Sequence, residues 1–210
     1  MIERILPASV ACVAVRGDDP DAWLYPEEMA ALGPAVDSRL REFTTARHCA
    51  RLALRRLGAP ETPILRGDKR EPLWPDGVVG SITHCTGYRA AVVARPAEFS
   101  AIGIDAEPHD SLPRGVAGKV LDEAERAWLA AAPTGIHWDR LMFCAKESVY
   151  KAWFPMTGRW LGFEDATLTV EPNAGTFRAD LRIVSRGLAA FCGRFLVADG
   201  LVLTAIVVPA

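Results

Sequence analysis

Ala101-Ile-Gly-Ile-Asp-Ala-Glu107 is the stretch around which the chain organises itself. Ile102 and Ile104 alternate with Gly103 and Asp105, the period of a strand with one face in a core. Asp105 and Glu107 stand two apart, so both carboxylates project from one side of that strand. Two neighbouring acids against apolar surface repel each other and stay ionised only beside a cation or hydrogen-bond donors. A hard divalent ion such as Mg²⁺ meets that need, because it takes oxygen ligands and bridges carboxylates to phosphates. Taken alone, a D-x-E pair is more often a strand end emerging into water.

On the C-terminal side, the pattern predicts a helix over Leu121–Ala131 and a stronger one over His137–Phe154, ended by Pro155. The second carries Phe143-Cys-Ala-Lys-Glu-Ser-Val-Tyr-Lys151. Glu147 and Lys151 are i, i+4 neighbours on it, and Lys146 lies about 100° round the axis from Glu147. An ordinary Glu–Lys helix pair accounts for this spacing. So does a third metal carboxylate beside a lysine that faces a phosphate. Four β-rich runs follow, Ala166–Val170, Thr176–Ile183, Arg194–Ala198 and Leu201–Val208, with Asp199-Gly200 as the hairpin turn before the last.

On the N-terminal side, strands are predicted over Val78–Thr83 and Arg89–Arg95, with the strand of the opening stretch running Ser100–Ala106. The first of these leads into Gly80-Ser-Ile-Thr-His-Cys85, where a hydroxyl, an imidazole and a small-residue turn can bind phosphate. A lone histidine is also a common structural residue. Ahead of it, Gly58–Asp76 is a Pro/Gly-rich connection holding Lys69-Arg-Glu-Pro-Leu-Trp74. Before that, a helix starts with Asp37 or Ser38 as N-cap and stops at Gly58. Leu40, Phe43, Ala46, Ala50, Leu54 and Leu57 form its buried stripe, and Arg47, Arg51 and Arg55 form a row on a neighbouring face. Helix then strands, twice over in halves of similar size, predicts an α+β protein with two similar α/β lobes, at 1–106 and 107–210. No residue-level repeat links the halves.

Composition removes several function classes. With 50% hydrophobic and 24% charged residues the chain folds around a core. The 24 Lys and Arg against 26 Asp and Glu, a net charge of −2, give neither a nucleic-acid coat nor an acidic solvating chain. No apolar run is long enough to span a membrane, and Glu3 spoils a secretory signal. Cys12, Cys49, Cys85, Cys144 and Cys192 are scattered, with no C-x-x-C, as buried thiols in a reducing cytoplasm would be. Yet Arg39 to Arg70 holds nine basic residues and three acids, an excess of +6, while Asp105 to Glu125 is acidic. That polarity suits an anion gripped partly by cations and partly through a metal. No G-x-S-x-G elbow is present to make a serine hydrolase.

Ile102-Gly-Ile-Asp-Ala-Glu107 followed by Phe143-Cys-Ala-Lys-Glu-Ser-Val-Tyr-Lys151 resembles the 4′-phosphopantetheinyl transferases of the Sfp/EntD type. Ser81-Ile-Thr-His84 is similar to an upstream family segment. Phe43-Thr-Thr-Ala-Arg-His-Cys-Ala-Arg51 and Lys69-Arg-Glu-Pro resemble the actinobacterial, EntD-like branch. Phe143 stands where tryptophan is frequent, Thr83 where serine is, and Ala106 where another branch has a larger residue.

The resemblance implies two lobes related by a pseudo-two-fold, with the active site in the cleft between them. It implies transfer of the phosphopantetheine arm of coenzyme A to a serine of an apo acyl or peptidyl carrier protein, releasing 3′,5′-ADP. Carried over by position, Asp105, Glu107 and Glu147 hold Mg²⁺, with Asp105 also on the coenzyme A side. Glu147 is the base, Lys151 assists the leaving phosphate, and Glu125 is a further acid near the reaction. Arg47, Arg55, Lys69, Arg70, Thr83 and His84 grip the 3′-phosphate and adenine end, and Lys146 touches phosphate. The branch leans towards secondary metabolism, whether polyketide, nonribosomal peptide or siderophore. A cleft complete within one chain implies a monomer, located in the cytoplasm. Two other readings share the residues: a non-catalytic coenzyme A or nucleotide binding module, and a Mg²⁺-dependent nucleotide hydrolase.

Overall fold

Beginning from a short 3₁₀ turn at Ile2–Ile5, the chain forms strand β1 (Ala11–Arg16) and helices α1 (Pro26–Leu32) and α2 (Asp37–Arg56). A two-residue ribbon, β2 (Leu65–Arg66) with β3 (Pro72–Leu73), precedes β4 (Val79–Cys85), β5 (Tyr88–Ala94) and β6 (Phe99–Pro108). Then come α3 (Ala117–Val120), α4 (Glu123–Ala131), α5 (Trp138–Thr157), β7 (Ala166–Glu171), β8 (Thr176–Ser185), β9 (Leu188–Ala198) and β10 (Leu201–Pro209). This computed structural model describes residues 1–185 and 187–210.

The architecture is α+β. A three-stranded antiparallel sheet, β1-β5-β4, and a five-stranded one, β6-β10-β9-β8-β7, each carry one long helix. On the smaller sheet, Cys49, Ala50, Ala53 and Leu54 of α2 pack on Val13, Ala91 and Val93. The opposite face of β5 (Ala90, Val92, Ala94) meets Ile102 and Ile104 of β6 and Leu203 and Ala205 of β10. β5 is therefore covered on both sides, which is why it reads as an unbroken small apolar run without alternation. On the larger sheet, Leu141, Ala145, Val149 and Trp153 of α5 cover Leu168, Phe177, Phe191, Val202 and Ile206. Each fully buried large side chain here stabilises the fold by about 1.5–3 kcal/mol.

Several details depart from the sequence reading, which also lacks α3 and the β2–β3 ribbon and begins β9 at Arg194 instead of Leu188. Helix α2 starts after Val36, so Asp37 is its first helical residue and sits where the helix dipole favours an acid. Pro155 does not end α5. It sits in the last turn, and the helix stops at Gly158, whose φ of 65° is left-handed. β1 and α1 were not expected. A lobe boundary at 106/107 passes through β6, which pairs with β10 along its length. By sheet membership the division falls between Ala94 and Phe99.

The lobes meet where β4 lies beside β6, and there the joint is made by side chains. Ser81 Oγ accepts from Ile104 N at 3.1 Å, and Thr83 Oγ1 accepts from Ala106 N at 3.0 Å. These hydroxyls satisfy buried N–H groups on the outer edge of β6, which would otherwise be orphaned. On the other side of β6, α5 comes very close at Gly103. A Cβ there would lie 2.0 Å from Ser148 O and 2.7 Å from Ala152 N. Only glycine permits this approach, and it fixes how far Glu147 and Lys151 reach towards β6.

Candidate functional site

A cleft of about 820 Å³ opens between the lobes. α2 contributes Arg39, Phe43 and Arg47. The β2–β3 ribbon and its turn contribute Arg66, Lys69, Arg70 and Glu71. β4 contributes Ser81, Thr83 and His84, and α5 contributes Glu147, Tyr150, Lys151 and Phe154. Six Arg and Lys side chains (Arg39, Arg47, Arg66, Lys69, Arg70, Lys151) face two carboxylates (Glu71, Glu147), an excess of +4. Five of these cations stand together on one wall, formed by α2 and the β2–β3 ribbon, in a molecule whose net charge is −2.

That wall is poorly compensated from within. Arg47 is buried, donates from Nε to Ile64 O at 2.8 Å, and lies 4.5 Å from the Phe43 ring centroid. Arg66 lies 4.6 Å from the centroid of the same ring. Burial, with Arg66, Arg51 and Arg39 nearby, pulls Arg47 down to about 10, so it stays protonated at neutral pH. Arg66 is lowered too, by burial and then by Arg39 and Arg70. Cations that depress each other's pKa gain together from a multiply charged anion. His84 is pushed down to about 4, chiefly by burial and then by Arg39, Lys151 and Arg89. Its Nε2 lies 3.0 Å from Arg39 Nη1, and a guanidinium can only donate, so the imidazole is neutral and accepts there.

The acid side is built on β6 and α5. Asp105 Oδ1 accepts from Lys151 Nζ at 2.7 Å and from Thr83 Oγ1 at 3.0 Å, while Oδ2 is buried without a partner. Glu107 Oε2 accepts from Arg140 Nη1 at 2.9 Å. Burial and then the Asp105 charge raise Glu107 to about 7, and Arg140 opposes the shift. The same two causes raise Glu147, opposed by Lys151. Burial alone would lower Lys151, but Asp105 and Glu147 outweigh it and hold the ammonium above its usual pKa.

Asp105 is thus the shared neighbour of both glutamates, and negative charge is in excess there. The three do not, however, form a ready cage. Among the described residues no three His, Cys, Asp or Glu side chains are grouped as a metal site. Asp105 is paired with Lys151 at 2.7 Å and Glu107 with Arg140 at 2.9 Å. The donor set still fits a hard ion, since all are carboxylate oxygens, burial and then the Asp105 charge raise both glutamates so that a cation there would relieve them, and one buried Asp105 oxygen lacks any partner.

Of the residues singled out from sequence, Arg47, Lys69, Arg70, Thr83, His84, Glu147 and Lys151 line the cleft, and Asp105 is tied to it through Thr83 and Lys151. Four others do not line it, among them Glu107, which pairs with Arg140 at 2.9 Å. Arg55 points to solvent and pairs with Glu61 at 2.7 Å. Lys146 and Glu125 are buried against each other at 2.8 Å. Lys146 also donates to Val120 O and Phe163 O, so its three N–H bonds are used. Glu125 closes the N-terminal capping box of α4 with Asp122 and accepts from Leu168 N. Lys146 has no free donor for a phosphate, and Glu125 is committed inside the C-terminal lobe. Arg39, Arg66, Ser81, Tyr150 and Arg140 have no role that the sequence alone points to. Arg39 and Arg66 belonged to the basic excess, which was the available signal; Tyr150 and Arg140 carried none.

Comparison with known proteins covers both lobes. A family profile described as 4′-phosphopantetheinyl transferase N-terminal domain matches residues 27–94, and one described as 4′-phosphopantetheinyl transferase superfamily matches residues 101–196. The chain is 50% identical over 221 residues to 4′-phosphopantetheinyl transferase PptT of Mycobacterium tuberculosis, spanning 99% of this chain and 97% of that one. It is 48% identical over 219 residues to 4′-phosphopantetheinyl transferase Npt of Nocardia iowensis, covering 98% and 99%. To 4′-phosphopantetheinyl transferase Svp of Streptomyces mobaraensis it is 53% identical over 201 residues, covering 92% and 82%.

Proposed function

This chain belongs to the 4′-phosphopantetheinyl transferase superfamily, and from that premise we propose how its cleft divides coenzyme A between two kinds of charge. The protein is an enzyme that transfers the phosphopantetheine arm of coenzyme A to a carrier protein. The observation that carries the division is the cleft's polarity: a wall of under-compensated cations faces a carboxylate group with an unpartnered buried oxygen.

The 3′-phosphate belongs on the cationic wall, gripped by Arg47 with Arg39, Arg66, Lys69 and Arg70. Neutral His84 serves there as a hydrogen-bonding group. The diphosphate belongs beside Lys151. Asp105, Glu107 and Glu147 would hold Mg²⁺, which when bound neutralises the diphosphate and favours in-line displacement.

Glu147 accepts the proton of the carrier serine, directly or through water, and its raised pKa suits a base. The serine oxygen bonds to the phosphorus that bears the pantetheine arm. The P–O bond to the other phosphate breaks, and 3′,5′-ADP leaves with its new charge facing protonated Lys151. No enzyme nucleophile is needed. Thr83 acts through Asp105, to which it donates, and Lys146 and Glu125 hold the lobe together.

Both walls come from one chain, which supports a monomer. Among the described residues no helix is long and apolar enough to cross a membrane. All five cysteines are free, as suits the cytoplasm. The test is intact-mass analysis of an apo carrier incubated with the protein, coenzyme A and Mg²⁺. Gain of one phosphopantetheinyl group per carrier is the expected result. Consumption of coenzyme A without carrier would indicate a hydrolase, and binding without turnover a sensor.

A further inference from the structure

Arg140 lies in the first turn and a half of α5, and 140, 147 and 151 fall on one side of that helix. Its guanidinium is divided between two tasks. Nε donates to Asp110 O at 3.0 Å and Nη2 to Ser111 O at 2.9 Å, which fixes the group against the loop leaving β6. Nη1, so anchored, donates to Glu107 Oε2 at 2.9 Å. Asp139, next along the helix, accepts from Leu112 N at 2.8 Å and fastens the same loop again.

The consequence falls on Glu107. Asp105 projects from the same face of β6, two residues away, so the two carboxylates stand side by side and repel. Arg140 supplies opposing charge and engages only one of the two oxygens. Among the described hydrogen bonds Glu107 has no other side-chain partner, so Oε1 is left over. We propose that Arg140 is the positioning residue for Glu107: it holds one carboxylate oxygen so that the other is presented beside Asp105 for the metal ion. α5 then supplies a cation behind each strand acid, Arg140 for Glu107 and Lys151 for Asp105, with Glu147 between them along the helix.

This rests on the carboxylates being a metal site, so the experiment must separate the two ideas. Mn²⁺, an oxygen-seeking probe, is titrated into protein saturated with coenzyme A and followed by electron paramagnetic resonance. Wild type is expected to bind, and Asp105→Asn to lose binding; if wild type binds nothing or Asp105→Asn changes nothing, the metal reading itself fails. If that control passes, Arg140→Gln is expected to weaken Mn²⁺ by about 10- to 100-fold, as loss of a hydrogen bond behind a metal ligand does. Coenzyme A affinity without metal should stay at the wild-type value, since Arg140 is outside the basic wall. Arg140→Lys, which keeps the charge but not the fork, should fall between. In a Glu107→Gln background, Arg140→Gln should change Mn²⁺ affinity less than about twofold. Wild-type Mn²⁺ affinity in Arg140→Gln, or an equal loss in the Glu107→Gln background, would overturn the assignment.

Discussion

Replacing Gly103 by alanine puts a methyl group in place of a hydrogen at the point where α5 touches β6. The new Cβ would lie 2.0 Å from Ser148 O, where 3.4 Å begins ordinary contact, so α5 must move away by about 1.4 Å. Neither partner is a flexible side-chain end: both close atoms, Ser148 O and Ala152 N, are helix backbone. Overpacking of this kind costs about 1–3 kcal/mol of stability. The larger effect is on alignment. Glu147 and Lys151 ride on the displaced turns, and Lys151 donates to Ile104 O and Asp105 Oδ1 at 3.1 and 2.7 Å, contacts that cannot stretch by 1.4 Å and survive. A misplacement of about 1 Å costs on the order of 100-fold in rate, or about 2.7 kcal/mol in the barrier. The assay is steady-state transfer to an apo carrier, with coenzyme A affinity measured separately by calorimetry. Turnover should fall about 100-fold while coenzyme A binds within a few-fold of wild type, because α2 and the β2–β3 ribbon are not displaced. A folded Gly103→Ala protein with unchanged turnover would refute the idea that this contact sets the catalytic geometry.

Two further perturbations bear on residues whose surroundings differ from first appearance. Lys146→Met strands Glu125 as a buried, unpaired charge and should destabilise by about 3–5 kcal/mol in urea unfolding, whereas Lys146→Met with Glu125→Gln should recover much of that. Coenzyme A affinity of folded Lys146→Met should match wild type; a specific loss of affinity would return Lys146 to the phosphate site. His84 titrates near 4 when folded and near 6.5 when unfolded, so the unfolded chain takes up its proton first as pH falls. Stability is therefore lost between about pH 6.5 and 4, by at most about 3 kcal/mol from this group and less for its partial exposure. His84→Asn should flatten that limb of the stability–pH curve, and an unchanged slope would mean the imidazole is already charged.

The sequence makes β6 and α5 legible because their residues are under two demands at once, alternation or helical spacing for the core and fixed polar types for the cleft. The Asp199-Gly200 turn is equally plain, with φ values of 50° and 73° that the dipeptide favours. β1 is obscured because Ala11-Cys-Val-Ala-Val-Arg16 is short and partly buried on both faces. α1 had its signals, Pro26 at the first helical position and acids in the first turn, but it is only seven residues long.

At the site, helical spacing places Lys146 and Glu147 about 100° apart without saying which one faces the cleft. The answer comes from Gly103, which seats the helix so that Glu147 looks across to β4 and Lys146 looks into the lobe. Asp122-Glu-Ala-Glu125 was readable as a capping box, and that reading would have placed Glu125 correctly. The Arg140 clamp depends on a loop and a helix start meeting in space, which no local pattern encodes.

A single carboxylate on α5, Glu147, drives the transfer in a cleft whose cationic wall binds coenzyme A by other groups. Glu147→Gln removes its charge with little change in volume. Intact-mass analysis of an apo carrier should show no added phosphopantetheinyl group when this variant is saturated with coenzyme A and Mg²⁺, while wild type converts the carrier fully in the same time. Full conversion by Glu147→Gln would mean that another group takes the serine proton.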